Sequence, residues 1–275
     1  MELRRVGASA MRFARYRSLS RARRWTCDFL HFASKVPTVG GTGVVNLSEI
    51  AAARRACRPL VSWTAIFTKA IALAAKTQPT LRQCYMPIPW AHIYEHPRCI
   101  ANVIIEREWE NENAVFADLI DEPENKSLRE IDDQIQAVKR MRIRSHRRFF
   151  YLIEGSFYPA PIRRIFWRIV LYFSGRLRME TLGTISVNSM RSRSAQVTQS
   201  FTLHTFNFYV TPPGKDGEMK VQVFVDHRVI DGVMVVRVLR EIELVLHNQI
   251  LKELKAGSVR SEAHADQAAS IKELQ

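Results

Sequence analysis

Along this chain apolar residues recur at a spacing of two in some stretches and of three and four in others, a mixture that predicts an α/β fold. Val36-Pro37-Thr38-Val39 opens a strand-like segment, continued by Val44-Val45-Asn46-Leu47, and Ser48-Glu49-Ile50 begins a short helix reaching Arg55. Ser62 is placed to cap a helix over residues 63–76. That helix carries Ile66, Phe67, Ala70, Ile71, Leu73 and Ala74 on nearly all its faces, which predicts burial. Pro79 ends it. Strand-like runs follow at 91–94, 100–108 and 114–119. Ser127 with Glu130 three positions on is a capping box, opening a helix with Ile131, Ile135 and Val138 on one face. The last third is strand-rich, at 183–187, 202–209 and 219–225, with Pro213-Gly214-Lys215-Asp216-Gly217 as a turn. After Gly232 a helix with Val235, Leu239, Ile242 and Leu246 on one face runs to about Leu254. No internal repeat and no linker divides the chain.

Residues 149–175 have a pattern of their own. Ile162, Ile165, Phe166, Ile169, Val170 and Phe173 fall on one helical face, with Arg163, Arg164 and Arg168 to the other side. Two readings of this basic amphipathic helix stand side by side. In one it is a core helix with a solvated Arg face. In the other, 149–178 makes a peripheral membrane contact or forms the wall of a tunnel for a lipophilic acceptor.

Charge changes the picture more than composition does. The 275 residues carry a formal net charge of +14, concentrated in two segments. Residues 1–40 hold nine Lys or Arg against Glu2 and Asp28, and residues 139–178 hold eleven against Glu154. Such an excess bears on partners, not on fold: nucleic acid, an anionic membrane, an acidic carrier protein or a phosphate-rich cosubstrate. The basic runs match no helix-turn-helix, zinc-finger or RNA-binding motif, so no nucleic-acid partner is expected. The organisation expected is a basic N-terminal arm over 1–34, a domain over 35–255 with a basic, apolar insertion at 141–180, and a polar tail over 256–275. Cys27, Cys57, Cys84 and Cys99 lack metal-type spacing and are too sparse for a disulfide framework, which predicts reduced thiols and a cytoplasmic location. The N-terminus lacks the apolar region of a secretory signal. Its Arg-rich, acid-poor character is also that of a transit peptide, although a basic arm accounts for the same residues.

The chemistry concentrates in residues 221–232. A strand ends at Val225, Asp226 and His227 follow, and a helix starts near Gly232. His227 therefore stands at a strand-to-helix turn, from which an imidazole projects into a cleft and can serve as general base. Asp231 lies where the helix wants an N-cap, so a plain capping role competes with a catalytic one.

The string Asp226-His227-Arg228-Val229-Ile230-Asp231-Gly232 contains His-x-x-x-Asp-Gly and resembles the active-site motif of the chloramphenicol acetyltransferase-like superfamily. It is most similar to the acyltransferase core of 2-oxo acid dehydrogenase complexes. Gly183-Thr184-Ile185-Ser186 resembles that family's Gly-Thr-Phe-Thr-Ile-Ser segment. Val36-Pro37, the helix from Trp63 to Pro79, and Lys126-Ser127-Leu128-Arg129-Glu130-Ile131 also have counterparts. The similarity covers roughly residues 35–255, and only the His motif is specific alone.

The resemblance implies a two-layer sandwich of a mixed β-sheet with helices, assembled as a homotrimer with active sites between subunits. It implies direct acyl transfer from a CoA thioester to a hydroxyl, thiol or amine, with acyl-CoA as cosubstrate and no tightly bound cofactor or metal. His227 would be the base and the Ser186 hydroxyl the oxyanion donor. Asp231 would hold the turn and with it the imidazole. Alternatives left open are a core acting on lipoyl groups carried by a separate protein, and a catalytically idle trimeric scaffold with a basic binding surface. Three departures are visible: no lipoyl or subunit-binding segment, the enlarged 141–180 region, and a shorter stretch between Ser186 and His227 containing Asn188-Ser189-Met190. The charged, Ala-rich tail 258–275 lacks the apolar contact that joins trimers into cages, so assembly is expected to stop at the trimer.

Two other clusters carry weaker signals. His92-x-x-x-His96-x-x-Cys99 has no evident fourth ligand and contains Pro97, so no zinc site is expected. Gly40-Gly41-Thr42-Gly43 is not followed by Gly-Lys-Ser/Thr and is not read as a phosphate loop. Trp63, Trp90, Trp109 and Trp167 are read as core or interface aromatics.

Overall fold

The structure, a computed structural model, describes residues 18–190 and 197–257. Residues 1–17 of the expected basic arm and 258–275 of the expected tail lie outside the described residues. The elements run α1 (Arg21–Ala33), β1 (Thr38–Asn46), α2 (Ser48–Ala56), α3 (Trp63–Thr77), β2 (Gln83–Met86), β3 (His92–Glu95), β4 (Ile100–Trp109) and β5 (Glu112–Asp121). Then follow α4 (Leu128–Arg140), α5 (Arg147–Gly155), α6 (Ala160–Tyr172), α7 (Gly175–Leu182), β6 (Ile185–Ser189), β7 (Phe206–Val210), β8 (Glu218–Asp226) and α8 (Gly232–Val245). A π turn over Leu246–Ile250 carries α8 on into helical residues 251–257.

One six-stranded sheet has the order β1-β8-β7-β6-β4-β5. β4–β6 and β6–β7 are parallel, and the other neighbours are antiparallel. The fold is therefore α/β with a mixed sheet, as expected. β2 and β3 form a separate antiparallel pair, and β2 has no counterpart in the hydropathy pattern. Alternation along the central strands divides the sheet's faces. Ile185, Val187, Phe206, Phe208, Val223 and Val225 point into one core with α3 and α8. Their neighbours Ser186, Asn102, Asn207 and Phe224 share a row on the other face, since Ser186 pairs with Asn102 and Asn207, and Asn207 with Phe224.

Local signals set several elements as read from the sequence. Ser62 accepts from the Ala65 N–H at 3.2 Å and caps α3. Ser127 and Glu130 close the capping box of α4. The glycine cluster falls inside β1, where α8 crosses closely. A Cβ at Gly41 would stand 3.2 Å from Val235 Cγ1, and one at Gly43 3.2 Å from Leu239 Cδ1. Those glycines serve helix-on-sheet packing.

Two regions differ from the pattern-based expectation. The first is the arm, whose residues 21–33 form α1 and pack into the body. Trp25 stacks on Trp109 with centroids 5.6 Å apart and meets Phe116, while Phe32 is buried with Leu171 and Leu203. The second is the basic segment, which is three helices, broken before Pro159 and again at Ser174. The orientation of α6 reverses the core-helix reading. Of its apolar stripe only Val170 is buried, whereas Ile162, Ile165, Phe166, Ile169 and Phe173 are exposed by 49–78%. Arg163 turns inward instead, its side chain 12% exposed, and forks onto the buried Asp28 of α1 at 2.5 and 3.3 Å. Arg164 lies 3.8 Å from the same carboxylate. A buried carboxylate on another helix decides the rotation of α6, and sequence periodicity carries no record of it.

Arg163→Ala leaves Asp28 buried with only a distant cation and is expected to cost about 3 kcal/mol in urea denaturation. Adding Asp28→Leu to that variant is expected to recover much of the loss.

Candidate active site

β8 ends at Asp226, and the turn after it is held by backbone and side chain together. The Asp226 N–H donates to Thr205 O at 3.0 Å, the His227 N–H to Pro37 O at 2.9 Å, and the Val229 and Ile230 N–H groups to Asp226 O. The buried Asp226 carboxylate accepts from the Arg228 backbone N–H at 3.1 Å and from its guanidinium at 2.9 and 2.7 Å. The guanidinium also lies 4.3 Å over the Tyr85 ring. A two-toothed Arg–carboxylate contact with a stacked ring fixes the turn firmly.

His227 projects from this turn with its side chain half exposed. Its Nδ1 lies 2.8 Å from the Ile230 carbonyl. A carbonyl only accepts, so Nδ1 carries the proton and donates, which makes Nε2 the basic nitrogen. No described residue hydrogen-bonds Nε2. Asp231 occupies the N-cap position of α8 by backbone conformation, yet its side chain makes no capping hydrogen bond. Its Oδ1 is 3.9 Å from Nδ1, and its side chain is 90% exposed. The contact that orients the imidazole is thus the Ile230 carbonyl, and the side chains that hold the turn are Asp226 and Arg228.

Ser186 lies in mid-β6 and is buried. Its Oγ accepts from Asn188 Nδ2 at 3.4 Å. It does not meet His227 within the chain: Ser186 is in line with Phe224, two strands away, and His227 follows three positions later. Strand spacing and rise put the two Cα positions roughly 14 Å apart. Ser186 belongs instead to a polar row that single-residue motifs did not reveal. Asn188 Nδ2 donates to Asn207 Oδ1 at 2.6 Å, Asn207 Nδ2 to Ser200 Oγ at 3.1 Å, and Ser200 and Tyr209 share a hydrogen bond of 2.9 Å. The period-two alternation of β6 and β7 carries the signal that could have found them.

His204 is a buried residue that motif reading missed. Its Nε2 is 2.9 Å from Leu182 O and 3.2 Å from Asn102 Nδ2. Burial pushes its pKa down from 6.5 to about 4, against the Leu182 hydrogen bond and aided by nearby Arg178. Near the discounted metal spacing, His96 and Cys99 are buried and His92 is not. Burial raises the Cys99 thiol to about 12. Among the described residues no group of three or more His, Cys, Asp or Glu side chains is arranged to hold a metal ion.

The comparisons with known proteins place this architecture. No protein-family model and no curated protein matches the sequence. Solved structures do match by fold. A probable dihydrolipoamide acetyltransferase from Listeria monocytogenes superposes with a TM-score of 0.61 at 16% identity, covering 85% of this chain and 94% of that one. The dihydrolipoamide acetyltransferase of Azotobacter vinelandii gives 0.62 at 14%, covering 92% and 99%. Work on that enzyme concerns the roles of a serine, a histidine and an asparagine in its catalytic mechanism. A truncated catalytic core of the 2-oxoacid dehydrogenase multienzyme complex from Thermoplasma acidophilum gives 0.62 at 13%, covering 86% and 99%. The chain has the fold of the catalytic cores of dihydrolipoamide acetyltransferases.

The buried imidazole supplies a stability test. With its folded pKa below the unfolded value, His204 is protonated preferentially in the unfolded chain. Stability is therefore full above pH 6.5 and declines as pH falls toward 4. Urea midpoints measured across that window are expected to fall, and His204→Gln is expected to flatten the slope, by about 3 kcal/mol at most.

Proposed function

We propose that this protein is an acyltransferase that moves an acyl group from a CoA thioester directly to a hydroxyl, thiol or amine acceptor. The observation that carries the reading is the His227 hydrogen bond: with Nδ1 committed to the Ile230 carbonyl, the basic Nε2 is left for an acceptor. Nε2 takes the acceptor's proton as the acceptor attacks the thioester carbonyl. The tetrahedral oxyanion is stabilised by the Ser186 hydroxyl. Collapse then expels the CoA thiolate, which recovers the proton from the imidazolium. Acyl group and proton are both accounted for, with no acyl-enzyme.

Ser186 and His227 lie too far apart to act within one chain, so the reading requires a homotrimer in which Ser186 comes from the facing subunit. Ser186 lies on the sheet face opposite α3 and α8. On that face Val44 and Val115 are more than half exposed in the single chain, as an interface would leave them. In the Azotobacter enzyme the histidine and asparagine are four positions apart, as His227 and Asp231 are here. That Asp231 is charged and exposed fits a through-space partner of the imidazolium better than a cap. Lys35, Tyr85, Tyr172 and Arg228 line a small cleft beside the His227 turn, in which the Arg228 guanidinium is already paired with Asp226. The alternative acceptor is a lipoyl group carried by a separate protein, as the names of the dihydrolipoamide acetyltransferases of the same fold suggest.

Release of free CoA thiol from acyl-CoA in the presence of an acceptor tests the reading. His227→Ala is expected to abolish release, and Ser186→Ala to slow it about 100-fold. Asp231→Asn is expected to slow it less than about tenfold, as an exposed charge contact should. Equal rates for wild type and His227→Ala would reject the catalytic role of His227, and no release by either would leave a catalytically idle scaffold. Light scattering should give the mass of three chains, and a monomer would break the two-chain site.

A further inference from the structure

The outward face of α6 is at odds with ordinary folding. Ile162, Ile165, Phe166, Ile169 and Phe173 recur at helical spacing and form one continuous stripe, and each is about half exposed or more. Phe157 and Tyr158, more than half exposed at the turn before α6, extend it. Contiguous exposed apolar surface of this kind marks a docking surface and not an accident of composition. The helix does not lack a reason to be oriented this way: Arg163 is locked onto buried Asp28. The inner side of α6 is fastened as well, by buried Val170 and Leu171. The stripe is therefore held outward.

The charge around it says what it meets. Arg168 stands exposed on the flank of the stripe, and Arg147 and Arg176 are exposed on the adjoining helices α5 and α7. Glu154 is the single acid in residues 139–178. A second copy seated on the stripe about a two-fold axis would bring the same arginines against each other, which costs energy, and a head-to-tail contact of the kind a trimer uses is read out by the oligomeric mass in the test below. A lipid surface with anionic headgroups matches both features, with acyl chains for the aromatic and aliphatic stripe and phosphates for the flanking guanidiniums. No described helix is long and apolar enough to cross a membrane, so the contact is one that lies in the interface.

We propose that the outer face of α6 docks this protein on an anionic membrane surface. α6 enters as an interfacial amphipathic helix, with Phe166, Ile169 and Phe173 below the headgroups and Arg168 reaching up to the phosphates. Its inner residues Leu171 and Tyr172 line the cleft shared with Arg228, next to His227, so docking brings the His227 turn close to the bilayer. The docking claim stands on the α6 face alone and does not depend on the catalytic reading.

Co-sedimentation of the full chain with vesicles decides it, using phosphatidylcholine alone and an equal mixture with phosphatidylglycerol. The wild type is expected to partition at least tenfold better onto the mixed vesicles, and added salt is expected to weaken that binding. The triple variant Phe166→Ser, Ile169→Ser, Phe173→Ser is expected to lose at least tenfold in partitioning. Its circular dichroism and oligomeric mass should be unchanged, because these side chains do not enter the core. Three results would overturn the proposal: no binding by the wild type, equal binding by the variant, or a fall in oligomeric mass in the variant. The last would assign the stripe to a second copy. Loss of CoA release with vesicle binding intact would strike the catalytic reading and leave this one standing.

Discussion

The pleat of the six-stranded sheet constrains everything that follows. Side chains alternate strictly between its faces, so Ile185 and Val187 are committed to the core and Ser186 and Asn188 to the opposite side. The same alternation sends Phe206 and Phe208 inward and Asn207 and Tyr209 outward. A slip of one residue in β6 or β7 would bury the polar row against α3 and open the apolar one. The hydrophobic pairing that fixes register therefore also fixes where the Ser186 hydroxyl stands, and that it stands away from the β8 end of its own chain.

At that end the geometry depends on a short electrostatic clamp. Asp226 is the last residue of β8 and is buried, so its charge requires partners. Arg228 supplies three hydrogen bonds two residues later and stacks on Tyr85 of the β2–β3 pair. Between them His227 has little freedom, and the Ile230 carbonyl selects its tautomer. The glycines of β1 contribute at one remove, by letting α8 approach so closely that the turn joining β8 to it stays tight.

Elements whose cause is local were legible in the sequence. α3 and α4 follow from their caps and apolar positions, β4, β5 and β8 from their runs, and the His227 turn from a strand ending beside a helix start. What was not legible depends on partners far along the chain. The rotation of α6 is set by Asp28, 135 residues from Arg163. The docking of α1 is set by stacking of Trp25 on Trp109, and β2 exists because β3 pairs with it. At the candidate site, His227 and Ser186 are proposed from the motif, whereas the clamp at Asp226 and Arg228 and the buried His204 needed three dimensions. Asp231 was read as the residue that holds the turn, a task its exposed carboxylate leaves to neighbours.

The proposed active site is shared between chains, with His227 from one subunit and Ser186 from the next. Hybrid assemblies test it most directly. His227→Ala and Ser186→Ala chains, each nearly inactive alone, would be mixed and refolded together, and CoA release measured. Random mixing pairs an intact His227 with an intact Ser186 at about one quarter of the interfaces, so about a quarter of wild-type activity should return. A mixture no more active than its separate components would contradict the shared site.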